Sequence, residues 1–161
     1  MTNLKIELYL RLILIISLVA IISAYFIEYV LGHQPCNLCL IERIPYGLSI
    51  ILITLNYFFK KNEKFIILLL ILTFFFSFAI SVYHLGIEQG LFEESAICSL
   101  KNTTGIISKE EILKQLQEKS VSCKDVTFRI FGLSLTSINI LLSFILIILL
   151  TKIYISYEKN K

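Results

Sequence analysis

Four apolar runs divide the chain: Leu8 to Leu31, Ile44 to Phe59, Phe65 to Tyr83 and Ile130 to Thr151. A helix needs about 20 residues to cross about 30 Å of hydrocarbon. The second run is short by that measure. To span, it must take in Leu40 and Ile41, which draws Glu42 and Arg43 into the interface, where a charge is costly unless it snorkels or serves a purpose. The pattern predicts an all-α membrane protein in a single domain, residues 1–161. Its four transmembrane helices are expected over about 8–31, 40–59, 65–84 and 130–151. Lys5 and Arg11 give the first run the look of a signal peptide. It runs well past any h-region and has no small-x-small cleavage site, so it is expected to be retained.

Composition agrees. Of 161 residues, 57% are apolar and 17% charged, with mean hydropathy +0.81, outside the usual range of soluble domains. The net charge of +3 is small and scattered and leaves no footprint for nucleic acid. Local charge is more informative. The N-terminal end, the hinge around Lys60, Lys61 and Lys64, and the C-terminus together carry 8 bases and 3 acids. The Leu85 to Arg129 loop carries 6 bases and 7 acids. The positive-inside rule then puts both termini in the cytoplasm and exports the loops at 32–39 and 85–129. Within the long loop, Ser108-Lys109-Glu110-Glu111 reads as a capping box. Ile112, Leu113 and Leu116 follow on one face, predicting a short amphipathic helix lying on the membrane or packed on the loop itself.

All four cysteines fall in those two loops, on the side where disulfides persist. Cys36 and Cys39 have the two-residue spacing of reversible redox pairs, and Cys98 and Cys123 are left to pair across the loop. The residues leave alternatives open: a four-thiolate metal module of Cys36, Cys39, Cys98 and Cys123, or a structural membrane protein with static loop disulfides. Pro45 places a helix start between Leu38 and Ile44, so Cys39 is expected at the positive end of a helix, with Arg43 beside it favouring thiolate. A thiolate and a cation at headgroup depth suit the reduction of a quinone. Arg43 otherwise reads as a snorkelling anchor paired with Glu42. His84, at the outer end of the third run beside Tyr83 and Glu88, suits a quinone carbonyl or a proton relay, or is simply an interface residue. Glu28 and His33 read as interface residues. Ser134, Thr136, Ser137 and Asn139 read as interhelical hydrogen bonders.

Taken together, Pro35-Cys36-Asn37-Leu38-Cys39 with Glu42-Arg43, the Tyr83-His84-Leu85-Gly86-Ile87-Glu88 stretch, the Cys98 and Cys123 pair, and Phe131-Gly132-Leu133-Ser134 with Asn139 resemble the disulfide bond formation protein B (DsbB) family over most of the chain. The resemblance implies a four-helix bundle in the cell inner membrane. It also implies an oxidoreductase that reoxidises a DsbA-like thioredoxin-fold thiol oxidase and reduces ubiquinone or menaquinone, with no metal. On it, Cys98 forms the mixed disulfide with the partner and Cys123 is its mate. Cys36 reoxidises that pair, while Cys39 and Arg43 face the quinone and His84 assists there. Ile138 departs from the pattern, since many members carry Trp before the Asn.

Overall fold

The computed structural model describes residues 3–58, 63–94, 98, 122–124, 128–130 and 132–159. Helix α1 runs over Asn3–Tyr29, α2 over Asn37–Ile41, α3 over Ile44–Phe58 and α4 over Glu63–Glu88. A two-stranded antiparallel hairpin follows, β1 (Arg129–Ile130) and β2 (Leu133–Ser134), and α5 (Leu135–Lys159) closes the chain. Helix α5 packs along α4, α3 lies against both α1 and α4, and α1 touches α5, which makes a closed bundle. Counting α2 and α3 as one span, four helices are long and apolar enough to cross a membrane.

Core positions recur at three and four residues: Ile6, Leu10, Ile13 and Ser17 on α1; Tyr46, Ser49, Ile53 and Asn56 on α3; Ile67, Leu70, Phe74, Ser77, Ser81 and His84 on α4; and Ser143, Leu146, Leu150 and Ile153 on α5. That is the seam of a helical bundle. The outside is as apolar as the inside, with Ile22 64% and Phe75 61% exposed. In water such a surface would be a liability, whereas facing lipid it costs nothing. Because lipid is as apolar as leucine, the helices are joined instead by small polar contacts. Ser49 donates to Ser17 at 2.8 Å, and Ser143 donates to Ser77 at 3.1 Å. Each such bond averages about 0.6 kcal/mol.

Helix boundaries differ from the apolar runs for identifiable reasons. The second span starts at Asn37 and breaks at Glu42–Arg43, because Pro45 has no N–H to bond back across the turn. Helix α4 continues past residue 84 to Glu88 and stops where Gly90 adopts φ +75°. There the Leu91 N–H bonds the Gly86 carbonyl at 2.8 Å and the Gly90 N–H bonds that of Ile87 at 3.0 Å, a Schellman cap. Gly86 is also needed for space, since a Cβ there would lie 2.3 Å from the Phe92 ring. The last helix begins at Leu135 rather than 130. The hairpin turn at Gly132 (φ +83°) occupies the earlier residues, and Ser134 caps the helix by accepting from the Ser137 N–H at 3.2 Å. Ser134 and Ser137 therefore bond each other locally instead of bridging helices. The predicted loop helix over Ser108 to Glu118 lies outside the described residues.

Candidate active site

The Pro35-Cys36-Asn37-Leu38-Cys39 turn folds so that Cys36 is the N-cap of α2. Its backbone is extended (φ −73°, ψ 167°), and its Sγ accepts from the Cys39 N–H at 3.2 Å. The capping position thus belongs to Cys36, not Cys39. Both are free thiols with Sγ atoms 2.6 Å apart. A small inward motion would bring them to the bonded distance of about 2.03–2.05 Å.

Behind Cys36 lies a buried polar cluster built from three helices. His84 on α4, 2% exposed, places Nε2 3.5 Å from Cys36 Sγ and Nδ1 2.9 Å from Glu42 Oε1. Glu42 Oε2 accepts from Asn139 Nδ2 at 3.1 Å, and the same amide lies 2.7 Å from Ser81 Oγ. Tyr46 donates its hydroxyl to Asn139 Oδ1. Thr136 on α5 sits 3.3 Å from His84 Nδ1 and donates to Glu88 Oε1 at 2.5 Å. A carboxylate at bundle depth is tolerated only when its oxygens are bonded, and both oxygens of Glu42 are. The Cys36 thiol is held well below the ordinary thiol range. The Cys39 thiol hydrogen-bonds to it, and the His84 ring and Cys39 N–H add to that against an opposing push from burial.

Cys98 and Cys123 are bonded to each other, with Cα atoms 5.8 Å apart. Both are buried, and they pack with Cys36, Leu38 and Ile87 in one cluster, against which Cys39, Ile41 and Tyr83 lie. The structure therefore gathers the four cysteines at one end of the bundle. It does not assemble them as a four-thiolate site, because Cys98 and Cys123 are spent on each other. Glu94 anchors the Cys123 turn by accepting from the Ser122 hydroxyl and from the Lys124 N–H. The His33 ring meets the Phe128 ring at a tilt, centroids 5.1 Å apart, and ties the first loop to the chain just before β1.

On its other side, Cys39 opens into a cavity of about 320 Å³ between α1, the Cys36 turn and α5. Its walls are mostly apolar, including Ala20, Ile21, Ala24 and Ile27 from α1 and Ile138 and Leu142 from α5. Cys39, Glu42, Arg43, Tyr46 and Asn139 are among its polar groups, with His33 and Gln34 of the first loop also in the wall. Apolar walls with a few convergent polar atoms describe a small-molecule site. Ile138, the departure from the family pattern, faces this cavity.

Two placements differ from what the sequence suggests. Arg43 does not pair with Glu42, which is already engaged. It donates to Glu28 at 2.5 Å, and its guanidinium lies 5.1 Å over the Tyr25 ring. It reaches the cavity wall as a cation held by Glu28. His84 is not among the cavity-lining residues but bonds two of them, Glu42 and Thr136. The α4 register turns its ring onto Cys36. Glu42 and Glu28 were the missed partners. A carboxylate within a membrane span was the available signal.

Comparisons with known proteins fit this geometry. The family of disulfide bond formation protein DsbB matches residues 7–153. The chain is also similar to the uncharacterized protein RP370 of Rickettsia prowazekii (strain Madrid E), at 33% identity over 156 residues, 94% of this chain and 90% of the relative. No solved structure matches. With four apolar spans, a bonded cysteine pair and a facing thiol pair, the chain belongs to the DsbB family of membrane disulfide oxidoreductases.

Proposed function

We propose that this protein draws electron pairs from a DsbA-like thioredoxin-fold oxidase through Cys98–Cys123 and Cys36–Cys39 to a membrane quinone, ubiquinone or menaquinone. The carrying observation is that the four cysteines share one buried cluster whose Cys39 edge opens on an apolar cavity. A partner thiolate attacks Cys98 Sγ and releases Cys123 as thiolate. The partner's second thiol then resolves the mixed disulfide and leaves with the disulfide. Cys123 attacks Cys36 in the oxidised inner pair and expels Cys39. Cys98 attacks Cys123 in turn and expels Cys36, re-forming Cys98–Cys123. A thiol of low pKa leaves fastest, and Cys36 is the cysteine capped by an N–H and faced by His84. Quinone supplies the sink for two electrons and two protons. At the cavity wall, Cys39 hands over the pair as the Cys36–Cys39 bond closes, and Arg43, fixed by Glu28, presents donors to a carbonyl oxygen. Glu42 and Asn139 keep the His84 ring aimed at Cys36.

The lysine distribution supports cytoplasmic termini and exported cysteine loops in a bacterial-type inner membrane. Reporter fusions at Lys61 and at Asn102 are expected on opposite sides. For the reaction, purified protein is mixed with reduced thioredoxin-fold oxidase and a quinone, and quinone absorbance is followed. Absorbance is expected to fall in step with oxidation of the partner. Disulfides inert to the partner, with the quinone unchanged, would instead show a protein stapled by static bonds.

A further inference from the structure

We propose that the reduced Cys36 and Cys39 thiols, together with His84, form a binding site for one thiophilic divalent cation of the zinc type, a site that exists only while the pair is reduced. The three ligand atoms lie within 4.8 Å of one another. Two thiolates and an imidazole are a ligand set that selects zinc-like ions over hard cations. Tetrahedral zinc, with Zn–S of about 2.3 Å and Zn–N of about 2.0–2.1 Å, needs an S···N separation of about 3.5 Å and an S···S separation of about 3.8 Å. Cys36 Sγ and His84 Nε2 already stand 3.5 Å apart. The sulfurs, at 2.6 Å, must separate by about 1 Å. Cys39 has room to do this, because it borders the cavity and is not fully buried.

The surroundings of the imidazole match those of a metal ligand. A ligating histidine ordinarily gives its second ring N–H to a carboxylate, which fixes the tautomer and raises its basicity. Here Nδ1 lies 2.9 Å from Glu42 Oε1, and Glu42 is itself held by Asn139. Glu88 Oε1, 3.9 Å from Nε2, adds negative charge on the same side. Two thiolates neutralise a divalent ion, so the filled site carries little net charge into the bundle. Three protein ligands would leave a fourth position for water. A disulfide offers no thiolate. Closing the Cys36–Cys39 bond therefore abolishes the site, and a bound ion holds both sulfurs out of exchange. This equilibrium requires neither quinone nor partner, so it stands or falls apart from the proposed function.

The test uses full-length protein in lipid nanodiscs, reduced and freed of reductant without oxygen, then titrated with Co²⁺ as a spectroscopic stand-in and back-titrated with Zn²⁺. Reduced protein is expected to bind one Co²⁺ per chain with tetrahedral d–d bands and thiolate charge-transfer absorption that Zn²⁺ bleaches. Oxidised protein should show neither. The Cys98→Ser/Cys123→Ser double variant should keep the spectrum, and Cys39→Ser should lose it. Glu42→Gln should weaken affinity about 10–100-fold, and His84→Ala should weaken it at least as much. If His84→Ala fails to fold by circular dichroism, Cys39→Ser and Glu42→Gln carry the test. The proposal is overturned if reduced protein binds no stoichiometric tetrahedral cobalt. It is equally overturned if binding needs Cys98 and Cys123 but survives His84→Ala, which would mark a four-thiolate site.

Discussion

The two cysteine pairs are held in opposite ways. Cys36 and Cys39 sit on the cap and first turn of a short helix, three residues apart, and one of them faces a buried histidine–carboxylate pair. Cys98 and Cys123, 25 residues apart, belong to the connection between α4 and the hairpin, and the bond between them closes that stretch. The inner pair is positioned by the bundle, and its two sulfurs have different surroundings. Cys36 meets His84 and the cysteine cluster, while Cys39 meets the cavity. At the outer pair, Glu94 holds the turn around Cys123 through the Ser122 hydroxyl and the Lys124 N–H. On the proposed function this difference is a division of labour: the outer pair would exchange with a visiting protein, and the inner pair would pass the electrons on.

The largest effect that would break this comparison comes from removing a sulfur. Cys36→Ser should abolish steady-state quinone reduction while Cys98–Cys123 still accepts one electron pair from reduced partner. Alkylation of acid-quenched samples reads this directly. If Cys36→Ser sustains turnover, the inner pair is dispensable.

Next is Arg43. Loss of a charged hydrogen bond to a quinone carbonyl costs about 1.5–3 kcal/mol, so Arg43→Ala should raise the apparent KM for quinone about 10- to 100-fold. Arg43→Lys keeps the charge without the planar fork, and its defect should be smaller. Neither variant should slow the single-turnover step at Cys98. An unchanged KM would make Arg43 an anchor only.

A smaller effect is expected in pH dependence. A thiol with a depressed pKa is thiolate, and therefore alkylated rapidly, at pH values where an ordinary thiol of pKa about 8.5 is protonated. In reduced protein, Cys36 should react with iodoacetamide at lower pH than free cysteine does. His84→Gln should move that profile upward, because one group favouring the thiolate is lost. Peptide mapping after timed alkylation measures it.

The smallest effect lies at the outer pair. The Ser122 hydroxyl, and then the Lys124 N–H, hold the Glu94 carboxyl below its ordinary value of 4.5. A lowered carboxyl pKa stabilises the folded turn above that value, and the contribution fades as pH falls through the lowered pKa. Glu94→Gln should modestly speed reduction of Cys98–Cys123 by a small dithiol at neutral pH, and its difference from the wild type, compared at each pH, should vanish as pH falls through the lowered Glu94 pKa.

Much of this architecture was legible in the sequence, because four long apolar runs admit few solutions in lipid. The runs did not show where helices stop. Gly90 and Gly132 end or delay helices through left-handed turns, and Pro45 splits one span, so those boundaries depended on local backbone chemistry. The cysteines and Arg43 stood out by type and spacing. Their partners did not. Glu28 lies 15 residues from Arg43, Glu42 lies 42 from His84 and Asn139 lies 97 from Glu42. Those contacts depend on how one helix is rotated against another, which no local pattern encodes. For the same reason the sequence does not show that the α4 register turns His84 onto Cys36.

On the proposed function, electrons reach the cavity only through Cys36 and Cys39. The most direct measurement starts with fully reduced protein, adds quinone without partner, and maps by mass spectrometry which pair loses its thiols first. Cys36 and Cys39 are expected to oxidise first, with Cys98 and Cys123 following by exchange and staying reduced in Cys36→Ser. Direct oxidation of Cys98 and Cys123 by quinone in that variant would contradict it.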